Sequence, residues 1–352
     1  MSVDNAAIAV RPGEDLDGAA VDRYLKAHLD GLTGAPVIRQ YPSGASNLTY
    51  AVEYPDRSLV LRRPPRGKKP KSGHDMGREY RIMNALQGVY PVPATLLFCD
   101  DESLIGAPFY VMERVEGVLI KGAIPDVWGW GEAEGARLCT AFFDKLIDLH
   151  AIDYQAAGLG DFGKPEGYVA RQIAGWERRY ARARTPDVDE FEDVRAWLQQ
   201  HIPAIEHAPA ILHGDFRIDN MILDAQNPFE IRAVLDWEIS ALGDPLMDLG
   251  NTLAYWIEAE DPPAMRALAR QPSWAPGMMS RAQVLEYYAQ KTGRDVSHFS
   301  FYYAYGVWRL AVILQQIYYR FYHGQSKNAA FADFAGSVNA LGAYCRAVIE
   351  KG

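Results

Sequence analysis

Leu212-His213-Gly214-Asp215-Phe216-Arg217-Ile218-Asp219-Asn220, followed by Val234-Leu235-Asp236-Trp237-Glu238, is the stretch that decides how the chain reads. Asp215 and Asn220 lie five positions apart on a predicted tight loop. Between that loop and Asp236 stand two strand-like pieces, MILD (221–224) and AVLDW (233–237), spaced like a hairpin that can fold Asp236 back. Two carboxylates and an amide converging on a loop form an oxygen-ligand set suited to Mg2+, which keeps several waters and shares substrate phosphates. Phosphoryl transfer needs little covalent help beyond metal, positioning and an acceptor for the hydroxyl proton.

Working outward, Asp17 to Leu32 has Ala20, Tyr24, Leu25 and Leu29 at helical spacing. The runs VIRQY (37–41), NLTYAVEY (47–54) and SLVLRR (58–63) are broken by the turn formers Pro42 to Ser46 and Pro55-Asp56, which predicts a three-strand antiparallel meander. Residues 64–77 read as a Pro-, Gly- and Lys-rich loop, and a helix from about Met76 to Leu86 carries Glu79. ATLLFCD (94–100) and PFYVMERV (108–115) add two strands. After Val115-Glu116-Gly117 the pattern turns helical: 132–150, 167–183, 188–201, 281–292 and 300–322. The expectation is an α+β chain of two lobes, a small antiparallel β N-lobe (1–116) and a larger helical C-lobe (117–352), with a nucleotide in the cleft between them.

Composition narrows the functional classes. The 352 residues, 49% hydrophobic and 23% charged, suffice for two cored lobes. A net charge of -9 argues against a nucleic-acid partner, which would call for a dominant basic face. Cys99, Cys139 and Cys345 are too scattered for a disulfide framework or a Cys-x-x-Cys metal pair. The opening MSVDNAAIAVRPGEDL lacks a secretory pattern, and the longest apolar run, Tyr303 to Leu314, is interrupted by Arg309. A cytoplasmic setting with no membrane partner is therefore expected. No P-loop, G-x-S-x-G elbow, His-x-x-x-His pair or Rossmann fingerprint occurs.

HGDFRIDN resembles the H-G-D-x-x-x-x-N loop of aminoglycoside phosphotransferases, choline kinases and their relatives, and VLDWEISALGDPLMDLG resembles their metal-binding segment. The motif order agrees over residues 37–255. PSGASNLTY, LVLRRPP, GREYRIMNAL and PFYVMERVEG are similar to the kinase-like domain that is fused ahead of acyl-CoA dehydrogenases and also occurs as free-standing bacterial proteins. The resemblance implies a bilobal protein-kinase-like fold and an ATP- and Mg2+-dependent kinase with a small-molecule hydroxyl acceptor.

Position by position, it implies Asp215 as catalytic base and Arg217 as the group neutralising charge on the transferred phosphoryl. Asn220 and Asp236 would hold Mg2+. Arg62 would meet the α/β-phosphates, with Glu79 pairing and fixing it. The turn Ser43, Gly44, Ala45, Ser46 and Asn47 would cover the phosphates, and Met112, Glu113, Arg114 and Val115 would form the hinge at the adenine edge. This chain departs from the family in lacking a lysine at the phosphate-pairing position, where Arg62 and Arg63 stand side by side. Strand alternation sends only one of them to the site.

His213 reads as a structural histidine, and Asp244 and Asp248 as braces of the metal loop. The cluster Arg66, Lys68, Lys69 and Lys71 reads as a solvated loop, or else as a patch for an anionic acceptor such as the phosphates of coenzyme A. The aromatic belt from Phe301 to Tyr322 reads as helix packing, some of it an alternative lining for an acyl chain. Three acceptor readings stay open: a hydroxyacyl-CoA or related acyl metabolite, an aminoglycoside or other polyol or amino alcohol, and a pseudokinase that binds nucleotide as an interaction module.

Overall fold

Several helices begin where a short polar side chain takes up a free N–H group of the first turn. Asp17 accepts from the Ala20 N–H at 2.9 Å, Asp75 from Arg78 at 2.9 Å and Asp244 from Leu246 at 2.9 Å. The computed structural model describes residues 7–42, 47–65, 75–204 and 206–352. In chain order the elements are α1 (Gly18–His28), β1 (Val37–Gln40), β2 (Leu48–Glu53), β3 (Ser58–Arg63), α2 (Met76–Leu86), β4 (Thr95–Cys99), α3 (Glu102–Ile105) and β5 (Phe109–Glu113). There follow α4 (Glu132–Ala151), α5 (Tyr168–Arg182), α6 (Glu192–Gln200), β6 (Ala210–Leu212), β7 (Met221–Leu223), β8 (Ile231–Val234) and β9 (Ala241–Gly243). The chain closes with α7 (Pro245–Ala254), α8 (Pro263–Arg266), α9 (Arg281–Thr292), α10 (Phe299–Tyr322) and α11 (Phe334–Lys351).

The chain divides into two units, residues Met1–Leu119 with Asn220–Ser240, and Ile120–Asp219 with Ala241–Gly352. The first holds a five-stranded antiparallel sheet in the order β1-β2-β3-β5-β4. The expected meander is β1 to β3, and β5 lies between β3 and β4; β3 and β5, the inner pair, carry the continuously buried runs Leu59–Leu61 and Phe109–Met112. One sheet face, with Leu59, Leu61, Phe109 and Val111, packs against Val21 and Leu25 of α1. Each such side chain contributes roughly 1.5–3 kcal/mol of burial. Alternation turns Arg62 and its register partner Tyr110 to the opposite face, where α2 packs. The β7–β8 hairpin joins this unit: Val118 and Leu223 exchange backbone hydrogen bonds at 2.8 Å, and the Val234 N–H donates to the Pro91 carbonyl at 2.8 Å.

In the second unit β6 pairs with β9, and α10 packs along α7, α11, α5 and α6. The α7–α10 crossing is very close. A Cβ on Gly250 would stand 2.3 Å from the Tyr302 carbonyl oxygen, and one on Gly306 would stand 2.2 Å from the Gly250 carbonyl oxygen. Helix α7 is buried all round, so it has no amphipathic stripe for a sequence reading to find. Helix α11 also lies outside the sequence expectation. Phe301, Tyr302, Tyr305, Trp308 and Tyr318 of the aromatic belt are buried, whereas Tyr322 is exposed. No helix among the described residues is long and apolar enough to cross a membrane. Cys99, Cys139 and Cys345 are buried free thiols.

Candidate functional site

The site residues within the first unit gather around one guanidinium. Arg62 Nη1 lies 3.0 Å from Glu79 Oε1, and Nη2 lies 2.6 Å from Asp236 Oδ1 and 3.6 Å from Glu238 Oε2. Arg63 turns to the other face and donates to the Ile105 carbonyl at 2.7 Å and the Pro64 carbonyl at 3.1 Å. Glu79 is buried, which pushes its carboxyl up to about 7; Arg62 opposes the shift, while Asp236 and Glu238 add to it. Burial works against the charge on Arg62, but Glu79 and Asp236 outweigh it and hold the guanidinium protonated.

The Leu235 N–H donates to the Asn220 carbonyl at 2.8 Å, so Asn220 and Asp236 stand at neighbouring rungs of the hairpin. Asp236 has φ 68, a left-handed conformation that costs a non-glycine residue about 1–3 kcal/mol and marks functional positions. Glu238 also accepts from Asn47 Nδ2 at 2.8 Å, tying the end of the predicted phosphate-covering turn to this group. The rest of that turn, Ser43 to Ser46, and the basic cluster Arg66, Lys68, Lys69 and Lys71 lie outside the described residues.

At the predicted hinge, Met112 and Glu113 end β5. The Glu113 N–H donates to the Ala94 carbonyl at 2.9 Å and the Arg114 N–H to the Ser58 carbonyl at 3.2 Å. The Val115 N–H donates to no group among the described residues, so of these amides it is the one open to an incoming ring edge.

In the second unit, Asp215 sits on a loop held at several backbone positions. The His213 and Gly214 N–H groups donate to Asp248 at 2.7 and 2.8 Å, and the Asp215 N–H donates to His213 Nδ1 at 3.2 Å. The Gly214 carbonyl accepts from Arg309 at 2.9 Å, and the Ile218 N–H donates to Gln271 at 2.9 Å. Gly214 has φ 83, a conformation open to glycine at little cost. Phe216 anchors the loop in the core against Phe142, with ring centroids 4.9 Å apart. Asp248 is itself backed by His150, which in turn meets the Tyr288 hydroxyl at 2.8 Å. Burial pushes the Asp248 carboxyl up, yet the hydrogen bonds from His150 and the His213 N–H outweigh it and leave the group below its ordinary range. Arg217 lies 3.5 Å from Asp215 and 3.1 Å from Asp219, with its guanidinium 5.0 Å from the Tyr255 ring. Asp219 is raised, mainly by burial and further by Asp215, against the pull of Arg217.

Each unit thus brings part of the expected set together: Arg62, Glu79, Asn220 and Asp236 in the first, Asp215 and Arg217 in the second. The sequence reading passed over Glu238, Asp219, Tyr255 and Arg309. Glu238 and Asp219 stand within the two stretches quoted at the outset, Asp219 next to Asn220 and Glu238 two positions beyond Asp236.

No group of three or more His, Cys, Asp or Glu side chains among the described residues is arranged to hold a metal ion. One guanidinium facing three carboxylates leaves an excess of negative charge, and that donor set suits a divalent cation taking one carboxylate and an amide while sharing phosphate oxygens.

The family model described as "Phosphotransferase enzyme family" matches residues 37–284. Acyl-CoA dehydrogenase family member 10 of Mus musculus is 36% identical over 314 residues, covering 88% of this chain and 29% of that protein. Acyl-CoA dehydrogenase family member 11 of Gallus gallus is 33% identical over 355 residues, covering 97% of this chain and 44% of that protein. The chain therefore spans less than half the length of these curated relatives. A crystal structure from Ralstonia eutropha JMP134, described as that of a candidate aminoglycoside phosphotransferase, superposes with a TM-score of 0.82 at 33% identity, over 96% of this chain and 99% of that one. Choline kinase from Cryptosporidium parvum shares the kinase-like fold, with a TM-score of 0.61 at 12% identity over 95% of this chain and 96% of that one.

Proposed function

The chain belongs to the phosphotransferase enzyme family, and from that premise we propose that it transfers the γ-phosphoryl group of ATP to a hydroxyl of a small acyl metabolite such as a hydroxyacyl-CoA, with Mg2+. The observation that carries the reading is the single guanidinium of Arg62 held among Glu79, Asp236 and Glu238. Arg62 is the group for the nucleotide phosphates, and Glu79 fixes it from behind. Asn220 and Asp236 would hold Mg2+, which supplies Lewis-acid withdrawal of charge from phosphoryl oxygens. Asp215 takes the proton of the acceptor hydroxyl, and its tightly held loop keeps the carboxylate in place. Arg217, beside it, offsets negative charge as the phosphoryl group arrives. The Val115 N–H meets the adenine edge.

The acyl preference rests on relatives that carry acyl-CoA dehydrogenase names. It is tested by ADP release from Mg-ATP against hydroxyacyl-CoAs, free hydroxy acids, choline and aminoglycosides. Turnover stimulated by hydroxyacyl-CoA and reduced roughly 10²–10⁴-fold in Asp215→Ala is expected. Wild-type turnover in that variant would remove Asp215 from the role. Nucleotide binding with no stimulated turnover would replace the kinase reading with that of an interaction module.

A further inference from the structure

Arg309 is an unusual residue for the middle of a packed helix. It is 5% exposed, its Nη2 donates to the Gly214 carbonyl at 2.9 Å, and its Nη1 is buried with no hydrogen-bond partner among the described residues. The guanidinium carbon lies 5.2 Å from the Trp176 ring centroid, and that of Arg179 lies 4.5 Å from the same ring. Neither arginine is ion-paired with a carboxylate among the described residues. Helix α5 carries Arg171, Arg178, Arg179 and Arg182 against the single acid Glu177. Glu177 is engaged elsewhere, with Arg195 at 3.5 Å and Gln199 at 2.7 Å.

Two cations on one indole ring, with no acid to balance them, leave a local positive charge that a bound anion would relieve. The charge acts next to Asp215. Tyr255 lies in the field of Asp215, Arg217, Asp219 and Arg309 together, and Tyr168 and Tyr305 lie in that of Arg309. Asp248, a fully buried acid whose field also reaches Tyr168 and Tyr305, is already taken up by two backbone N–H groups and His150.

We propose that Arg179, stacked on Trp176 and backed by Arg309, binds an oxyanion of the acceptor, a carboxylate or phosphate, while Tyr168, Tyr255 and Tyr305 wall its apolar part. The proposal rests on the reading of Asp215 as the residue that receives the acceptor hydroxyl. Arg179 is exposed and makes the contact. Arg309 is a positioning residue, holding the Gly214 carbonyl and adding its field at the same indole. Such a wall accepts hydroxy acids or acyl-CoAs and repels polycationic aminoglycosides.

The test is equilibrium binding by calorimetry, without nucleotide, so that it does not depend on turnover. The probes are 3-hydroxybutyrate, 3-hydroxybutyryl-CoA, coenzyme A and kanamycin, against wild type, Arg179→Ala, Arg179→Lys and Arg179→Glu. At least one anion should bind the wild type, weaken about tenfold or more in Arg179→Ala, and recover much of its affinity in Arg179→Lys. The melting temperature should stay that of wild type, since Arg179 is exposed. Affinity for the free hydroxy acid identifies a carboxylate as the group bound; affinity for coenzyme A itself identifies the phosphates. Unchanged anion affinity in Arg179→Glu, or binding of kanamycin alone, or of no anion, overturns the proposal. Failure of the kinase reading would look different: anions bound with the expected arginine dependence, and no ADP released.

Discussion

Arg62 Nη2 lies 2.6 Å from Asp236 Oδ1, so the third strand of the sheet and the hairpin beyond Asn220 are joined through one charged hydrogen bond. The same guanidinium faces the buried Glu79. Replacing Arg62 by Ala would leave Glu79 buried without its cation, at a cost of about 3–5 kcal/mol. Arg62→Lys keeps the charge but cannot span both acids with a planar fork. Thermal melts should rank wild type above Arg62→Lys and Arg62→Ala lowest, with ATP affinity in the same order. Equal stability of all three would show that the guanidinium is not what holds these acids together.

Glu79 makes stability depend on pH in a definite direction. Its carboxyl, at about 7, sits above the unfolded value of 4.5, so the native state holds the proton more tightly. The stabilisation this confers is fully present below about 4.5 and is lost as pH rises through about 7. Melting curves of wild type and Glu79→Gln should therefore diverge over that window, with wild type losing ground to the variant as pH increases. Parallel curves would place the Glu79 carboxyl in the ordinary range.

Asp248 accepts from two backbone N–H groups of the loop that presents Asp215. Asp248→Ala orphans both, at about 1–3 kcal/mol for each buried donor. Turnover should fall by at least tenfold while the KM for ATP changes little, because the groups proposed to hold the nucleotide belong to the first unit. A rise in KM for ATP without a change in kcat would contradict this division.

The α7–α10 crossing leaves no room for a methyl group. Gly306→Ala would put a Cβ 2.2 Å from the Gly250 carbonyl oxygen, and the helices must separate, at about 1–3 kcal/mol. Gly336 in α11 serves as the control, since a Cβ there meets nothing within 4 Å. Gly336→Ala should stabilise by roughly 0.5–1 kcal/mol. Urea denaturation of the two variants should move the midpoint in opposite directions.

The β-rich part of the chain was legible because its strands alternate and its turns use Pro, Gly, Ser and Asp. The same period of two separated Arg62 from Arg63, and the structure sends Arg63 to backbone carbonyls on the other face. Helix α7 was hidden because it is buried on every side. Strand order could not be read either, since β5 comes between β3 and β4 through long-range pairing. Arg309 was visible only as the charge breaking an apolar run. Its link to Gly214 spans 95 positions, beyond any local pattern. Tyr255 had no signal at all, because its place beside Arg217 is set by the end of α7.

Gly306 and Arg309 lie within one turn of each other on α10. The first rests on the backbone of α7, and the second grips the carbonyl beside Asp215. The crossing therefore works as a gauge block: the thickness of two bare backbones sets the height at which the guanidinium meets the loop. A laboratory library aimed at new acceptors would do best to leave positions 250, 302 and 306 untouched and to randomise Arg179, which can change without shifting that standard.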